Sequence, residues 1–274
     1  MRAESPTVRV DLDSKPETLT IVRGMLGGVA ELLFIEPELL DDLKTAVSEA
    51  CNNIVLHAYG GEPGPMSVSL FIDERLRVTV EDRGVGLPAR EPPDGIGLSV
   101  IRALAADVTL RSEPGQGTQV QMEFEIEHNG RPLLRPPESA APDPGWERGA
   151  DDQVVVSLSP VSLLPGVLGR LARTLAATAH FSLDRFSDVY LVTDTLAAHA
   201  MRAAAALRVQ ARLATRDRRL ELCVGPFHPG SSEQLRSTPG ERTPSPLALL
   251  TDELSILPDG DGELLRVVVI DHRR

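Results

Sequence analysis

The chain has 274 residues, 42% hydrophobic and only 3% aromatic, which is enough for two domains with cores built from Leu, Val, Ile and Ala. A net charge of −12 at pH 7 excludes the basic footprint of a nucleic-acid binder and argues against docking on an anionic membrane. No apolar run is long enough to span a bilayer, and Met1 to Pro6 lack the apolar core of a signal peptide. Cys51 and Cys223 are too few and too ill-spaced for a disulfide framework or a zinc site, so a cytoplasmic protein with two small buried thiols is expected.

Thr7 to Asp13 alternates Val8, Val10 and Leu12 with Arg9 and Asp11, the pattern of a half-buried strand. Glu17 to Phe34 reads as a helix with Leu19, Val22, Leu26, Val29 and Leu33 on one side, broken by Glu36-Pro37-Glu38. A second helix follows over 41–57. Leu40, Leu43, Val47, Ala50 and Ile54 form its apolar stripe. Beside that stripe, not opposite it, runs the ladder Glu49, Asn53, His57. An amide and a carboxylate one turn apart suit a site in which Asn53 coordinates a hard cation and Glu49 handles a proton or a water. The competing reading is a surface helix that happens to carry Glu and Asn.

Gly60-Gly61-Glu62-Pro63-Gly64-Pro65 is a turn, and Ser67 to Ile72 and Leu76 to Val80 form a hairpin around Asp73-Glu74-Arg75. The second strand runs into Glu81-Asp82-Arg83-Gly84-Val85-Gly86-Leu87. A carboxylate at a strand end followed by Gly84 and Gly86 leaves backbone free to approach a flat ligand, although Asp-x-Gly is also an ordinary turn. After the loop Pro88 to Pro93, Gly95-Ile96-Gly97 opens a helix, and its free N–H groups make a natural phosphate cradle. No Gly-Lys-Ser/Thr follows, so it is not a P-loop, and no parallel strand precedes it, so it is not a dinucleotide fingerprint. A second hairpin, Val108 to Ser112 and Thr118 to Ile126, turns at Glu113 to Gly117. Residues 128–150, rich in proline and holding the sole tryptophan, Trp146, read as a linker.

Ser48-Glu49-Ala50-Cys51-Asn52-Asn53 with His57 and Tyr59, then Glu81 to Gly86, then Gly95-Ile96-Gly97-Leu98 and Gly115-Gln116-Gly117-Thr118 resemble, in that order, the nucleotide-binding boxes of the Bergerat (GHKL) ATP-binding fold. The resemblance covers about residues 6–126. Within the superfamily it points to the bacterial anti-sigma-factor serine/threonine kinases of partner-switching systems, because the lid between Gly86 and Gly95 is very short; gyrase- and Hsp90-like members carry longer lids. It implies an α/β fold, a two-layer α+β sandwich with a mixed, mostly antiparallel sheet and helices on one face. It implies ATP with Mg2+ as cofactors. Asn53 would ligate the metal and Glu49 would be the catalytic general base. Asp82 would accept from the adenine amine, with Gly84 and Gly86 letting the base lie against backbone. Gly95 and Gly97 would cradle the phosphates, and Thr118 would stand on the adenine side. His57 reads equally as a nucleotide or partner contact and as a structural histidine. Arg90 reads as a phosphate contact or, more simply, as a solvated loop charge.

From residue 151 the element order repeats: strand Val154 to Leu158, helices Leu164 to Thr178 and Arg185 to Leu207, hairpin Val209 to Ala214 with Leu220 to Val224, a short helix Leu247 to Leu250, and strands Leu254 to Leu257 and Leu264 to Ile270. At one constant offset Glu49 falls on Asp194, Asn53 on Ala198 and Gly117 on Gly262; at one residue less Asp82 falls on Pro226. The metal ligand and the adenine acceptor are gone, so the expected organisation is an ATP-binding kinase domain at 1–127, the linker, and a degenerate copy at 151–274 that does not bind ATP. That copy would stand in for a second protomer, as a pseudo-dimer within the chain in place of a homodimer, or serve as a docking surface.

The function the resemblance implies is an ATP-dependent serine/threonine kinase that phosphorylates a small STAS-type antagonist protein and sequesters a sigma factor or similar regulator. The second reading is a non-catalytic, ATP-responsive binding or sensor protein that acts by sequestration alone.

Overall fold

The computed structural model describes residues 5–86, 96–126, 153–236 and 244–272. The chain divides into two units, Met1–Pro136 and Pro137–Arg274. The expected linker, Trp146 and Arg90 lie outside the described residues.

In the first unit strand alternation dictates the architecture. β1 (Val8–Asp13) pairs with β2 (Pro65–Ile72), β2 turns into β3 (Arg75–Asp82), and β5 (Gly117–Glu125) lies between β3 and the edge strand β4 (Asp107–Glu113). Every one of these pairings is antiparallel. The register aligns Val10, Val68, Val80, Val120 and Leu110 in one row across the sheet, and Val8, Leu70, Val78, Met122 and Val108 in the next. Period-two alternation sends both rows to the same face. There they pack under α1 (Thr18–Leu33), α2 (Pro37–Asn53) and α3 (Ile96–Leu104), whose Val22, Leu26, Leu43, Val47, Leu98 and Ile101 are buried. The opposite face is polar; Arg9, Asp11 and Ser67, for instance, hydrogen-bond to one another there.

One further step along the same period is decisive. The third row runs Leu12, Met66, Asp82 on adjacent strands, and Thr118 pairs with Ser112 where the row continues. Asp82 therefore projects from the core-facing side of β3, at the strand's end, under the helices.

Helix α2 begins earlier than the sequence suggests. α1 ends before Glu36-Pro37-Glu38, as expected, and Pro37 itself occupies the first turn of α2, where the missing N–H costs nothing. At its other end the α-helix stops at Asn53, and Ile54–Ala58 continues as a single π-helical turn. Cys51 is buried, as expected, while Cys223 is half-buried.

The second unit has β6 (Gln153–Leu158), β7 (Val209–Arg216), β8 (Arg219–Phe227), β9 (Glu253–Asp259) and β10 (Gly262–Ile270), in the order β6-β7-β8-β10-β9 and again all antiparallel. Its helices are α4 (Leu164–Thr178), α5 (Leu183–Ala203) and the short α6 (Pro246–Leu250). Strand order and helix placement along the chain match those of the first unit element for element. One register detail differs from the sequence expectation. A bulge in β8 sets Phe227 opposite Glu263 while Val224 faces Leu265. The residue at the strand position of Asp82 is therefore Phe227, not Pro226.

Candidate functional site

Asp82 is 8% exposed. Its Oδ1 accepts the Gly84 N–H at 2.7 Å, and the Thr118 N–H donates to the same carboxylate. Burial pushes the carboxyl pKa up from its ordinary value, and the two N–H donors partly pull it back. A buried acceptor held from its own backbone is ready to take a hydrogen bond from a flat, donor-bearing ligand. The glycines around it exist for close approach. A Cβ on Gly84 would stand 2.1 Å from the Ala58 carbonyl oxygen. Gly86 has φ +67° and a Cβ there would lie 2.2 Å from the Glu113 oxygen, so the stretch after Asp82 nests against the β4–β5 turn. Thr118 and Ser112 share a hydrogen bond between hydroxyls at 3.0 Å. Ser112 escaped sequence reasoning, although its place on the core-facing period of β4 marks it.

Glu49 and Asn53 lie in the last turns of α2, and α3 packs against that helix. The contact between them is Gly97. A Cβ at that position would fall 3.2 Å from Glu49 Oε2 and 3.3 Å from Asn53 Nδ2. Both head groups thus converge on the backbone of the first turn of α3. Among the described residues neither head group is engaged in a hydrogen bond or ion pair. Gly95, the other half of the glycine pair, lies outside the described residues. His57 does not join the ladder. The π-helical turn shifts it off the four-residue repeat and it is exposed.

The two halves of the site are linked through the turn that leaves Asn53. α2 packs on β3, and Ala58, at the end of the π-helical turn, accepts the Val85 N–H at 2.9 Å. An amide and a carboxylate one turn apart, the first turn of α3 packed on them, and a buried carboxylate with a glycine-lined approach therefore occupy one end of one sheet.

In the second unit the same positions hold different chemistry. Phe227 is fully buried where the first unit has Asp82. His199 meets its ring edge-on, with centroids 4.8 Å apart, and its Nε2 lies 3.2 Å from Ser232 Oγ. Glu263 accepts from the Gly230 and Ser232 N–H groups at 2.8 and 2.7 Å. Burial works to raise its pKa, but those donors outweigh it and hold the carboxyl below its ordinary value. Asp194 and Ala198 are both exposed on α5.

Residues 12–124 match the family described as "Histidine kinase-like ATPase domain". The anti-sigma F factor of Pasteuria penetrans is 42% identical over 101 residues, which covers 31% of this chain and 67% of that one. The serine-protein kinase RsbW of Bacillus cereus (strain Q1) is 26% identical over 147 residues, 46% of this chain and 92% of that one. A solved structure of the RsbU and RsbW domains of Rv1364c from Mycobacterium tuberculosis aligns with 43% of this chain and 31% of that one, at 21% identity and a TM-score of 0.35. The chain belongs to the histidine kinase-like ATPase family, on its branch of serine-protein kinases and anti-sigma factors.

Proposed function

We propose that the first unit binds Mg2+-ATP, transfers its γ-phosphoryl group to a serine or threonine of a small STAS-type antagonist protein, and sequesters a sigma factor or similar regulator when that antagonist is phosphorylated. The observation that carries this reading is the convergence of Glu49 and Asn53 on Gly97, at the same sheet end as Asp82. Sequestration alone has no use for a carboxylate set beside the phosphate cradle.

Asp82 takes the adenine amine, and Gly84 and Gly86 let the base lie against backbone. The N–H groups at the start of α3 hold the phosphates. Mg2+ fits the Asn53 amide oxygen because that cation keeps phosphate and water ligands and needs no protein cage; bound there, it would neutralise phosphate charge. Glu49, one turn from Asn53, accepts the proton of the attacking hydroxyl.

The second unit, in this reading, is a degenerate copy without nucleotide, because Phe227 occupies the acceptor position and Ala198 stands for the amide. Among the described residues no helix is long and apolar enough to cross a membrane, and the proposed place of action is the cytoplasm, where a sigma factor works.

The test is transfer of labelled phosphate from ATP to a purified STAS-type protein, with Glu49→Gln as the control. Removal of a general base is expected to slow transfer by about 100-fold or more with ATP affinity retained. Undiminished transfer by that variant would take the base role from Glu49. Absence of transfer by the native chain, with intact sigma-factor binding, would favour sequestration without catalysis.

A further inference from the structure

Tyr59 follows the π-helical turn and reaches back across the site. Its hydroxyl accepts the Arg83 N–H at 2.8 Å and donates to the Pro65 carbonyl at 2.6 Å. Its ring lies on Gly64 so closely that a Cβ there would stand 2.5 Å from three ring atoms. One phenol thus ties together the end of the π-helical turn, the start of β2 and the residue directly after Asp82.

The neighbouring residue adds a second tie. Ala58 accepts the Val85 N–H at 2.9 Å. The peptides on both sides of Gly84 are therefore held, Arg83 by Tyr59 and Val85 by Ala58. Gly84 between them donates to Asp82 Oδ1 at 2.7 Å. The Asp82 carboxylate is aimed by that N–H together with the Thr118 N–H, and the position of the Gly84 N–H depends on the two anchors. Both anchors belong to the segment that leaves Asn53. A π-helical turn is a rare element that recurs at functional sites, and here it is the strut between the cation side and the base side.

We infer that Tyr59 is a positioning residue that aims the Asp82 carboxylate at the nucleotide base, and so sets base selectivity without touching the ligand. The inference rests on the reading of this unit as an ATP site. Removing only the hydroxyl frees the Arg83 N–H and loosens Asp82. Affinity for a base that donates to Asp82 falls, while affinity that comes from the phosphates is little changed.

The experiment is calorimetric titration of the full chain with Mg2+-ATP and with Mg2+-GTP, native and Tyr59→Phe, together with amide hydrogen exchange at Arg83 and a melting curve. The substitution keeps the ring over Gly64. The expected result is a fall of about fivefold in the ATP-over-GTP preference, faster exchange at the Arg83 amide, and a preserved melting transition. An unchanged preference overturns the inference, and so does equal weakening of both nucleotides, which is what general loosening would produce. A variant that loses its melting transition assigns Tyr59 to folding and also overturns it. A native chain that does not prefer ATP overturns the ATP reading and this inference together, whereas a selective native chain with an equally selective variant removes the inference alone.

Discussion

Gly97 of α3 stands directly over Asn53 of α2, so close that a Cβ would lie 3.3 Å from the amide nitrogen and 3.2 Å from Glu49 Oε2. The absence of a side chain is what lets a helix N-terminus, an amide and a carboxylate share one small volume. Gly97→Ala is expected to weaken Mg2+-ATP binding by about tenfold and Gly97→Val to abolish it, since the larger group fills the ligand's space. The melting temperature should change little, because Gly97 is only half-buried and a methyl in a helix favours helix formation. Titration of both variants beside their melting curves checks this. Equal affinity in Gly97→Val would mean that the ligand does not pass over α3.

The buried carboxylate gives a pH signature. Asp82 has its pKa raised by burial, against the pull of two N–H donors. A raised folded-state pKa means the ionised form is disfavoured in the fold: the stability this group contributes is complete below the unfolded value and lost as pH rises through the folded value. Base recognition needs the ionised acceptor, so ATP affinity is expected to fall on acidification at a pH above the ordinary Asp range. Asp82→Asn should weaken ATP by at least about tenfold and flatten that acid limb. An acid limb that persists unchanged in the variant would assign it to another group.

Much of this was readable from residues alone because period-two patterning is a strong constraint. Val8, Val10 and Leu12 locate the core face of β1, and the same count along β3 carries Asp82 to that face. Glu49 and Asn53 were readable as an i, i+4 pair beside an apolar stripe. His57 was not, because a π-helical turn is set by tertiary contacts, here the Ala58 carbonyl against Val85, and no local residue pattern announces it. The start of α2, four residues before the expected 41, is hidden for a different reason: a proline that keeps α1 from continuing can also open the next helix at its first turn, and Pro37 marks both boundaries at once. Phe227 was hidden behind a bulge that shifts β8 by one residue against β10. Tyr59 was visible as part of a motif, yet its work depends on Arg83 and Pro65, which are near it only after folding.

The contrast between Asp82 and Phe227 predicts stoichiometry. If nucleotide enters only the first unit, titration of the full chain with Mg2+-ATP should give one site per chain, and Asp82→Asn should weaken that one site without uncovering another. Two sites, or one whose affinity is unchanged in Asp82→Asn and is lost in Phe227→Ala, would place nucleotide in the second unit instead.

His199 gives the second unit its own acid sensitivity. It is fully buried on α5, with Nε2 on Ser232 Oγ, Phe227 at its edge, and Nδ1 without a partner among the described residues. Burial and the nearby Arg202 charge lower its pKa below 6.5, while Glu263 opposes them. A folded-state pKa below the unfolded value means that His199 contributes stability above about pH 6.5, and that this is lost as pH falls toward the folded value, where the buried ring must charge. Replacing the ring removes this linkage but leaves the carboxylates to titrate as before. The difference in stability between the native chain and His199→Gln is therefore expected to shrink as pH is lowered from 7 toward 5. Denaturant midpoints of both proteins across that range measure it. A constant difference would show that His199 does not titrate there, and the acid sensitivity would then belong to the carboxylates of the unit, with Glu263 the first to replace.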